Sequence, residues 1–236
     1  IIGRLLLKRY FEYIWIPGEP QISYARKLGF SEEKMLLGNY SADFNYFNSL
    51  YKDNYDNKKR KFPHIFLFVG RYIEAKGIRF LVDTFSELKH ESKDWELWCV
   101  GTGELKDQFY DTDKIKHLGF IQPQDLNKVI ENSGVFVLPS EYDPWGVVVH
   151  EFATAGFPLL LSTNVGAGTL FVEEGENGFV FPNKNKTKLI ELFRLVMDKS
   201  DDQLFKMSIH SNNIASAITP EKWTNTLLTI LARNKN

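Results

Sequence analysis

Among the 236 residues there is a single cysteine, Cys99, set in the apolar run 97–100. With no partner it makes no internal disulfide, which fits a reducing, cytoplasmic setting. No apolar run reaches the ~18 residues of a membrane span, and no stretch reads as a signal peptide. Charge of one sign is lacking too: Lys and Arg number 29, Asp and Glu 30, leaving a net charge of −1. No global field therefore draws the chain to nucleic acid or acidic lipid. Gly101-Thr102-Gly103 lacks the third glycine of a dinucleotide fingerprint, which argues against an NAD site. The chain also begins at Ile1 without a methionine, so further residues are expected upstream.

What is present is ample core. At 43% hydrophobic residues the chain can build one domain of about 150–200 residues plus a smaller piece. From about residue 62, apolar runs at 64–69, 95–100, 114–118, 135–138, 158–161 and 178–181 read as strands. Helices are expected over 78–89, 104–110, 125–132, 147–155, 169–174, 187–197 and 203–215. A last helix enters through Thr219-Pro220, an N-cap followed by proline at the first helical position. Strands this apolar, alternating with helices, predict an α/β fold with a parallel sheet covered on both faces. The first 60 residues depart from that pattern. They read as a basic amphipathic helix (2–10), a strand (13–16), a Pro17-Gly18 turn, a helix ending at Gly29, and a strand (34–37). The polar stretch 45–61, with little periodicity, reads as an inter-domain linker. Its run Lys58-Lys59-Arg60-Lys61 is read as solvated rather than as a nucleic-acid patch.

In an open parallel sheet, ligands bind beyond the carboxyl ends of the strands. Gly70-Arg71 follows the first main strand and Lys76-Gly77 opens its helix; Gly101 and Gly103 follow the second strand. Leu118-Gly119-Phe120 ends the third, and the stretch from Pro139 to Gly146 follows the fourth. Topology alone thus gathers these glycines, two cations and two carboxylates on one rim. Asp143 and Glu151 flank the turn Pro144-Trp145-Gly146, which opens an apolar helix at Val147. Between them lie the free N–H groups of a helix start, which attract anions. A ligand with hydroxyls at both ends and phosphates between, such as a nucleotide diphospho-sugar, suits that layout. Arg71 and Lys76, five positions apart, can both reach one diphosphate, Arg through its planar fork and Lys as a point charge.

Taken singly, each feature has a plainer reading: surface cations for Arg71 and Lys76, a tight strand-to-helix turn for Gly101-x-Gly103. Asp111-Thr112-Asp113 imitates an Asp-x-Asp metal motif but precedes a strand and reads as a loop, so no metal site is expected. His117 reads as a packed strand residue, and His150 should point away from its neighbour Glu151.

Gly70-Arg71-Tyr72-Ile73-Glu74-Ala75-Lys76-Gly77 resembles the Gly-Arg…Lys-Gly signature of retaining GT-B glycosyltransferases of the glycogen-synthase-like, group 1 type. Gly101-Thr102-Gly103, Leu118-Gly119-Phe120, and Gly168 through Glu174-Gly175-x-Asn177-Gly178-Phe179 follow in the family's order. Asp143-x7-Glu151 is similar to the family's Glu-x7-Glu pair, with the first carboxylate one methylene shorter. The resemblance covers about 62–182. It implies a Rossmann-like doubly wound sheet at 62–218 as the donor-binding domain, and a remnant of the N-terminal acceptor domain at 1–44. Residues 45–61 would be the linker, and the helix at 219–236 would cross back to the other lobe.

The resemblance also implies roles. Arg71 and Lys76 would hold the donor diphosphate and stabilise it as it leaves, in place of a metal ion or other cofactor. Glu151 would accept the ribose hydroxyls, Asp143 would lie near the transferred sugar, and the amides of Trp145, Gly146 and Val147 would approach sugar and phosphate. Gly70, Gly101 and Gly103 would let backbone approach the donor, and the backbone at Phe120 and Ile121 would meet the base. The partners implied are a nucleotide-sugar donor and a carbohydrate or lipid-linked acceptor, with peripheral membrane contact through the missing lobe. The tract Tyr24-Ala25-Arg26-Lys27-Leu28-Gly29 points to surface polysaccharide or lipopolysaccharide assembly. The alternatives are a non-catalytic nucleotide-sugar-binding or scaffold module, which has no reason to keep Arg71, Lys76 and Glu151 on one rim, and a sugar-nucleotide epimerase, which the Asp143/Glu151 spacing disfavours.

Overall fold

The computed structural model describes residue 7 and residues 10–233 apart from 89 and 93; the basic helix expected over 2–10 lies outside the described residues except for positions 7 and 10. The chain opens on a small parallel pair, β1 (Ile14–Ile16) and β2 (Met35–Leu37), joined through helix α1 (Ile22–Leu28). Helix α1 stops where Gly29 takes a left-handed conformation at φ 96°, which glycine adopts without steric cost. Helix α2 (Phe44–Arg60) then leads into a sheet of six parallel strands.

Those strands are β3 (Ile65–Val69), β4 (Glu96–Val100), β5 (Ile115–Gly119), β6 (Val135–Leu138), β7 (Leu159–Ser162) and β8 (Gly178–Phe181). Their spatial order is β5-β4-β3-β6-β7-β8, so the winding reverses between the adjacent strands β3 and β6. This is the doubly wound order, with its crevice at the carboxyl ends of those two strands. The α/β, Rossmann-like class expected from the sequence is the one found. The central strands β6 and β7 are buried at every position, which is why they read as unbroken apolar runs. The edge strand β5 is more mixed.

Helices α3 (Ile78–Ser86), α4 (Asn127–Asn132), α5 (Val147–Thr154), α6 (Gly168–Phe171), α7 (Lys186–Met197) and α8 (Asp201–Ala215) cover the sheet, and α9 (Pro220–Arg233) ends the described chain. The core is rich in aromatic contacts. Phe66 stacks on Trp95 at 4.4 Å and meets Phe193 edge-on at 4.6 Å. Phe136 of β6 stacks on Phe152 of α5 at 4.5 Å, tying the switch-point strand to the helix that opens the crevice.

Two segments differ from their sequence reading. The stretch read as a linker, 45–61, is helical up to Arg60 and belongs to α2, which is packed against α5 and α8. Asp43 caps it by accepting from the Tyr46 N–H at 3.1 Å, and its buried face is Phe47, Leu50, Asn54 and Lys58. That spacing is helical, but two of its four positions are polar, so no apolar stripe is visible. Lys58 lies with its Nζ 3.9 Å from the Phe157 ring and no hydrogen-bond partner among the described residues, and burial pushes its pKa down to about 7. The helix expected over 104–110 is only a 3-10 turn, Lys106–Gln108. Its entry bonds go elsewhere: the Leu105 N–H donates to Tyr72 O at 3.1 Å, and Phe109 packs edge-on against Tyr72.

The last helix reaches the small sheet. Trp223 of α9 stacks on Trp15 of β1 at 4.8 Å, and its Nε1–H donates to Asn39 O at 3.1 Å.

Candidate functional site

The carboxyl ends of β3, β4 and β5 are stitched together by backbone hydrogen bonds that continue past the strands. The Gly70 N–H donates to Val100 O at 3.0 Å, and the Gly101 N–H to Gly119 O at 2.8 Å. The glycine segments at 70, 101 and 119 therefore share one rim. Side chains have no room after β4: a Cβ on Gly101, at φ 141°, would collide with Gly70 O, and one on Gly103 would lie 2.5 Å from Tyr72 O. Phe120 follows β5 with 63% of its surface exposed, and Ile121 beside it is partly buried.

Across the switch point, the loop after β6 is laced to the loop after β3. The N–H groups of Glu141 and Tyr142 both donate to Ala75 O, at 2.9 and 3.2 Å. This brings Lys76 and Asp143 together: Lys76 Nζ lies 2.5 Å from Asp143 Oδ2, and both side chains are largely shielded from solvent. Arg71 is different. It stands exposed just past β3 and makes no ion pair among the described residues.

Asp143 is anchored by its own backbone, with its N–H donating to Asn164 O at 3.3 Å and its carbonyl accepting from Gly166 at 3.1 Å. Two residues on, the Trp145 carbonyl accepts from the Ala167 N–H at 2.7 Å, and its indole is buried against Phe171. Gly146 then adopts φ 87° and Val147 starts α5, whose first amides have no intrahelical acceptor. One turn into α5, Glu151 is half-buried and its carboxylate accepts no hydrogen bond within the described residues. Burial, and then the nearby charge of Asp43, raise its pKa above the ordinary carboxyl value. These contacts bring together Lys76, Asp143 and the glycine segments at 70 and 101–103, while Arg71, Phe120, Ile121, Trp145, Gly146, Val147 and Glu151 belong to the loops and opening helical turns that follow the same strand ends.

The two histidines behave as packed residues. His150 is buried with Nδ1 accepting from the Ala42 N–H at 3.0 Å. A backbone N–H only donates, so Nδ1 carries no proton and Nε2–H points at Ala215 O, 3.2 Å away. Burial holds its pKa down at about 4. His117 lies on Phe109 with Nδ1 3.0 Å from the Tyr72 hydroxyl, and burial lowers its pKa. Asp111 accepts from the His117 N–H at 2.7 Å, a loop strut rather than a free ligand.

Sequence reasoning missed the contribution of the small lobe. A Cβ on Gly18 would sit 2.5 Å from the Trp145 ring, and Gln21 Nε2 donates to Pro144 O at 2.7 Å. Asp43 bears on Glu151 from the cap of α2. These contacts cross more than a hundred positions of sequence, and of the residues that make them only the Pro17-Gly18 turn is marked in the sequence.

Comparison with known proteins follows the same region. The family model described as Glycosyl transferases group 1 matches residues 63–198. An uncharacterized glycosyltransferase of Methanocaldococcus jannaschii is 31% identical over 125 residues, covering 49% of this chain and 31% of that protein. Alpha-D-kanosaminyltransferase of Streptomyces kanamyceticus is 25% identical over 57% of this chain and 36% of its own length. The chain therefore spans about a third of the curated relatives it matches. Among solved structures, Anabaena HepE in complex with UDP and glucose superposes with a TM-score of 0.75 at 17% identity, over 98% of this chain and 66% of that one.

Proposed function

The chain belongs to the group 1 glycosyl transferases, and we propose that it carries the donor-binding part of an enzyme that transfers a sugar, with retention, from a nucleotide diphospho-sugar to an acceptor hydroxyl. The observation that carries this reading is the convergence of Arg71, Lys76, Asp143 and Glu151 around the start of α5, at the crevice where the sheet's winding reverses. Glu151, unpartnered at one end, is suited to accept the ribose hydroxyls. The α5 amides, Arg71 and Lys76 supply positive potential in the middle, where the diphosphate would lie. Asp143 is the carboxylate for the hydroxyls of the transferred sugar. The rim amides around Gly70, Gly101, Gly103, Phe120 and Ile121 offer backbone contacts to the base. HepE, a structural relative solved with UDP and glucose, supports a nucleotide-sugar as the ligand.

In the reaction, the bond from the anomeric carbon to the diphosphate oxygen breaks and that oxygen keeps the electron pair. A new bond forms to the acceptor oxygen, whose proton is released. Arg71 and Lys76 stabilise the charge growing on the leaving diphosphate, the role a metal ion plays elsewhere. Residues 1–44 belong to an acceptor-binding lobe, and the acceptor is a carbohydrate or a lipid-linked molecule of surface polysaccharide or lipopolysaccharide synthesis. A melting-temperature screen against UDP-, GDP- and ADP-sugars and CMP-sialic acid tests the reading, since a ligand that binds only the folded state raises the melting temperature. A rise with one diphospho-sugar is expected. No rise with any, at millimolar ligand, would sink it.

A further inference from the structure

The pairing of Lys76 with Asp143 joins the group assigned to phosphate with the group assigned to sugar. We propose that Asp143 competes with the diphosphate for Lys76, so that this carboxylate favours the sugar-bearing donor over the bare nucleoside diphosphate that remains after transfer. The proposal rests on the nucleotide-sugar reading above and adds a specificity role for Asp143 within it.

The geometry supports competition at three points. Lys76 Nζ is 2.5 Å from Asp143 Oδ2, with Lys76 and Asp143 side chains only 20% and 9% exposed, so the bond is shielded from water. The same carboxylate lies close against the mouth of α5: a Cβ on Gly146 would be 3.3 Å from Asp143 Oδ2. An anion approaching the first amides of α5 meets this negative charge and must share Lys76 with it. Asn164 and Gly166 fix the Asp143 backbone beside this mouth, so the carboxylate can leave it only by rotating its side chain.

The carboxylate's other oxygen makes no hydrogen bond within the described residues. A donor sugar can offer hydroxyls to it and so offset the loosened pair. A nucleoside diphosphate offers none there, because its only hydroxyls are on the ribose assigned to Glu151. Once transfer has removed the sugar, Asp143 retains only its claim on Lys76, which weakens the hold on the product. Arg71, exposed and without an ion partner, is not subject to this competition.

The experiment measures UDP and UDP-glucose affinity by calorimetry on the chain of residues 1–236, with GDP and ADP and their glucose conjugates as parallel probes. Asp143→Asn removes the competing charge while keeping the shape. It should tighten UDP by about threefold to tenfold, the range of a partly shielded ion pair, and should leave UDP-glucose unchanged or weaker. Plain charge repulsion would also tighten UDP, so the substitution is repeated in Lys76→Met. There the gain should shrink to about twofold or less, because coupled residues fail to add. Asp143→Glu, which restores the charge, should return UDP affinity toward the unsubstituted value. Unchanged or weaker UDP binding in Asp143→Asn, or the same gain with Lys76→Met, would overturn the competition and leave the nucleotide-sugar reading intact. A wild-type chain that binds none of the three diphosphates or their glucose conjugates would overturn both.

Discussion

At the amino ends of β3 and β4, His64 lies between Asp94 at 2.5 Å and Asp201 at 2.8 Å, and its ring stacks on Trp95 at 4.8 Å. At the carboxyl rim of the same sheet, Arg71 stands in solvent without an ion partner, and Glu151 accepts no hydrogen bond among the described residues. Asp201 at the amino end also accepts from the Phe62 N–H at 3.0 Å, so one carboxylate ties α8 to the segment that leads into β3. The amino rim satisfies its charges within the protein. At the carboxyl rim Lys76 and Asp143 pair with each other while Arg71 and Glu151 are held in reserve, and the raised pKa of Glu151 records the cost of doing so. Groups left short of partners, with perturbed protonation, mark sites more often than supports. Lys58 tests that rule, because it too lacks a partner but is fully enclosed over Phe157.

If enclosure makes Lys58 a liability of the fold rather than a site, removing its charge should help. With the folded pKa lowered from 10.5 to about 7, the unfolded chain binds more protons between those values. Stability therefore rises with pH across that window and is least below it. Lys58→Met should raise stability by roughly 2–4 kcal/mol at pH 7, an advantage that fades as pH approaches 10. Melting temperatures at pH 7 and 10 measure it. The contact with the Phe157 ring favours the charged amine, so a destabilised Lys58→Met at pH 7 would mean that attraction outweighs burial.

The carboxyl rim should respond in binding rather than stability. Glu151→Gln should weaken UDP-sugar affinity by about tenfold to a few hundredfold, since hydrogen bonds to a charged group contribute roughly 1.5–3 kcal/mol. Its melting temperature should hold or rise, because a desolvated carboxylate has been neutralised. Arg71→Ala should reduce UDP affinity more than uridine affinity, with the gap narrowing at high salt. Equal losses for UDP and uridine would remove Arg71 from the phosphate.

The amino rim should show the reverse. His64→Ala breaks two bonds to carboxylates and a ring stack, and should lower stability by about 1–2 kcal/mol, a few degrees of melting temperature. UDP affinity should not change. A variant that melts normally yet loses UDP would erase the distinction between the rims.

Much of this could be read from the residues alone. Each strand of the main sheet lies within one position of its apolar run, because strands buried on both faces have no polar interruptions to blur them. Strand-end topology then placed Gly70, Gly101, Asp143 and Glu151 together without knowledge of any side chain. Helix α2 was illegible because Asn54 and Lys58 occupy half of its buried face, so a helical period carried no apolar signal. The bonds between Lys76 and Asp143, Gln21 and Pro144, and Ala42 and His150 were illegible for another reason. Each joins residues that only the folded sheet brings near, and no local pattern encodes them.

The smallest expected effect concerns Asp43, which connects the small lobe to the carboxyl rim. Glu151 serves a ribose as a carboxylate, because protonation converts one of its oxygens from acceptor to donor. Donor affinity should therefore fall as pH falls through the Glu151 pKa, and the raised value moves that decline to higher pH than an ordinary carboxyl would give. Burial is the larger cause of the shift and Asp43 the second, so Asp43→Asn should move the decline only part of the way back, toward lower pH. Melting temperature is the wrong reporter. A carboxyl whose folded pKa is raised stabilises the fold below its unfolded pKa and loses that contribution as pH rises through the folded value. His150, lowered to about 4 from 6.5, works the other way, its contribution failing as pH falls between those values. The two oppose each other in mildly acid solution and largely cancel in stability. Affinity for a UDP-sugar measured from pH 7 down to pH 4.5, in the wild type and in Asp43→Asn, separates them. Superimposable curves would show that Asp43 does not act on Glu151.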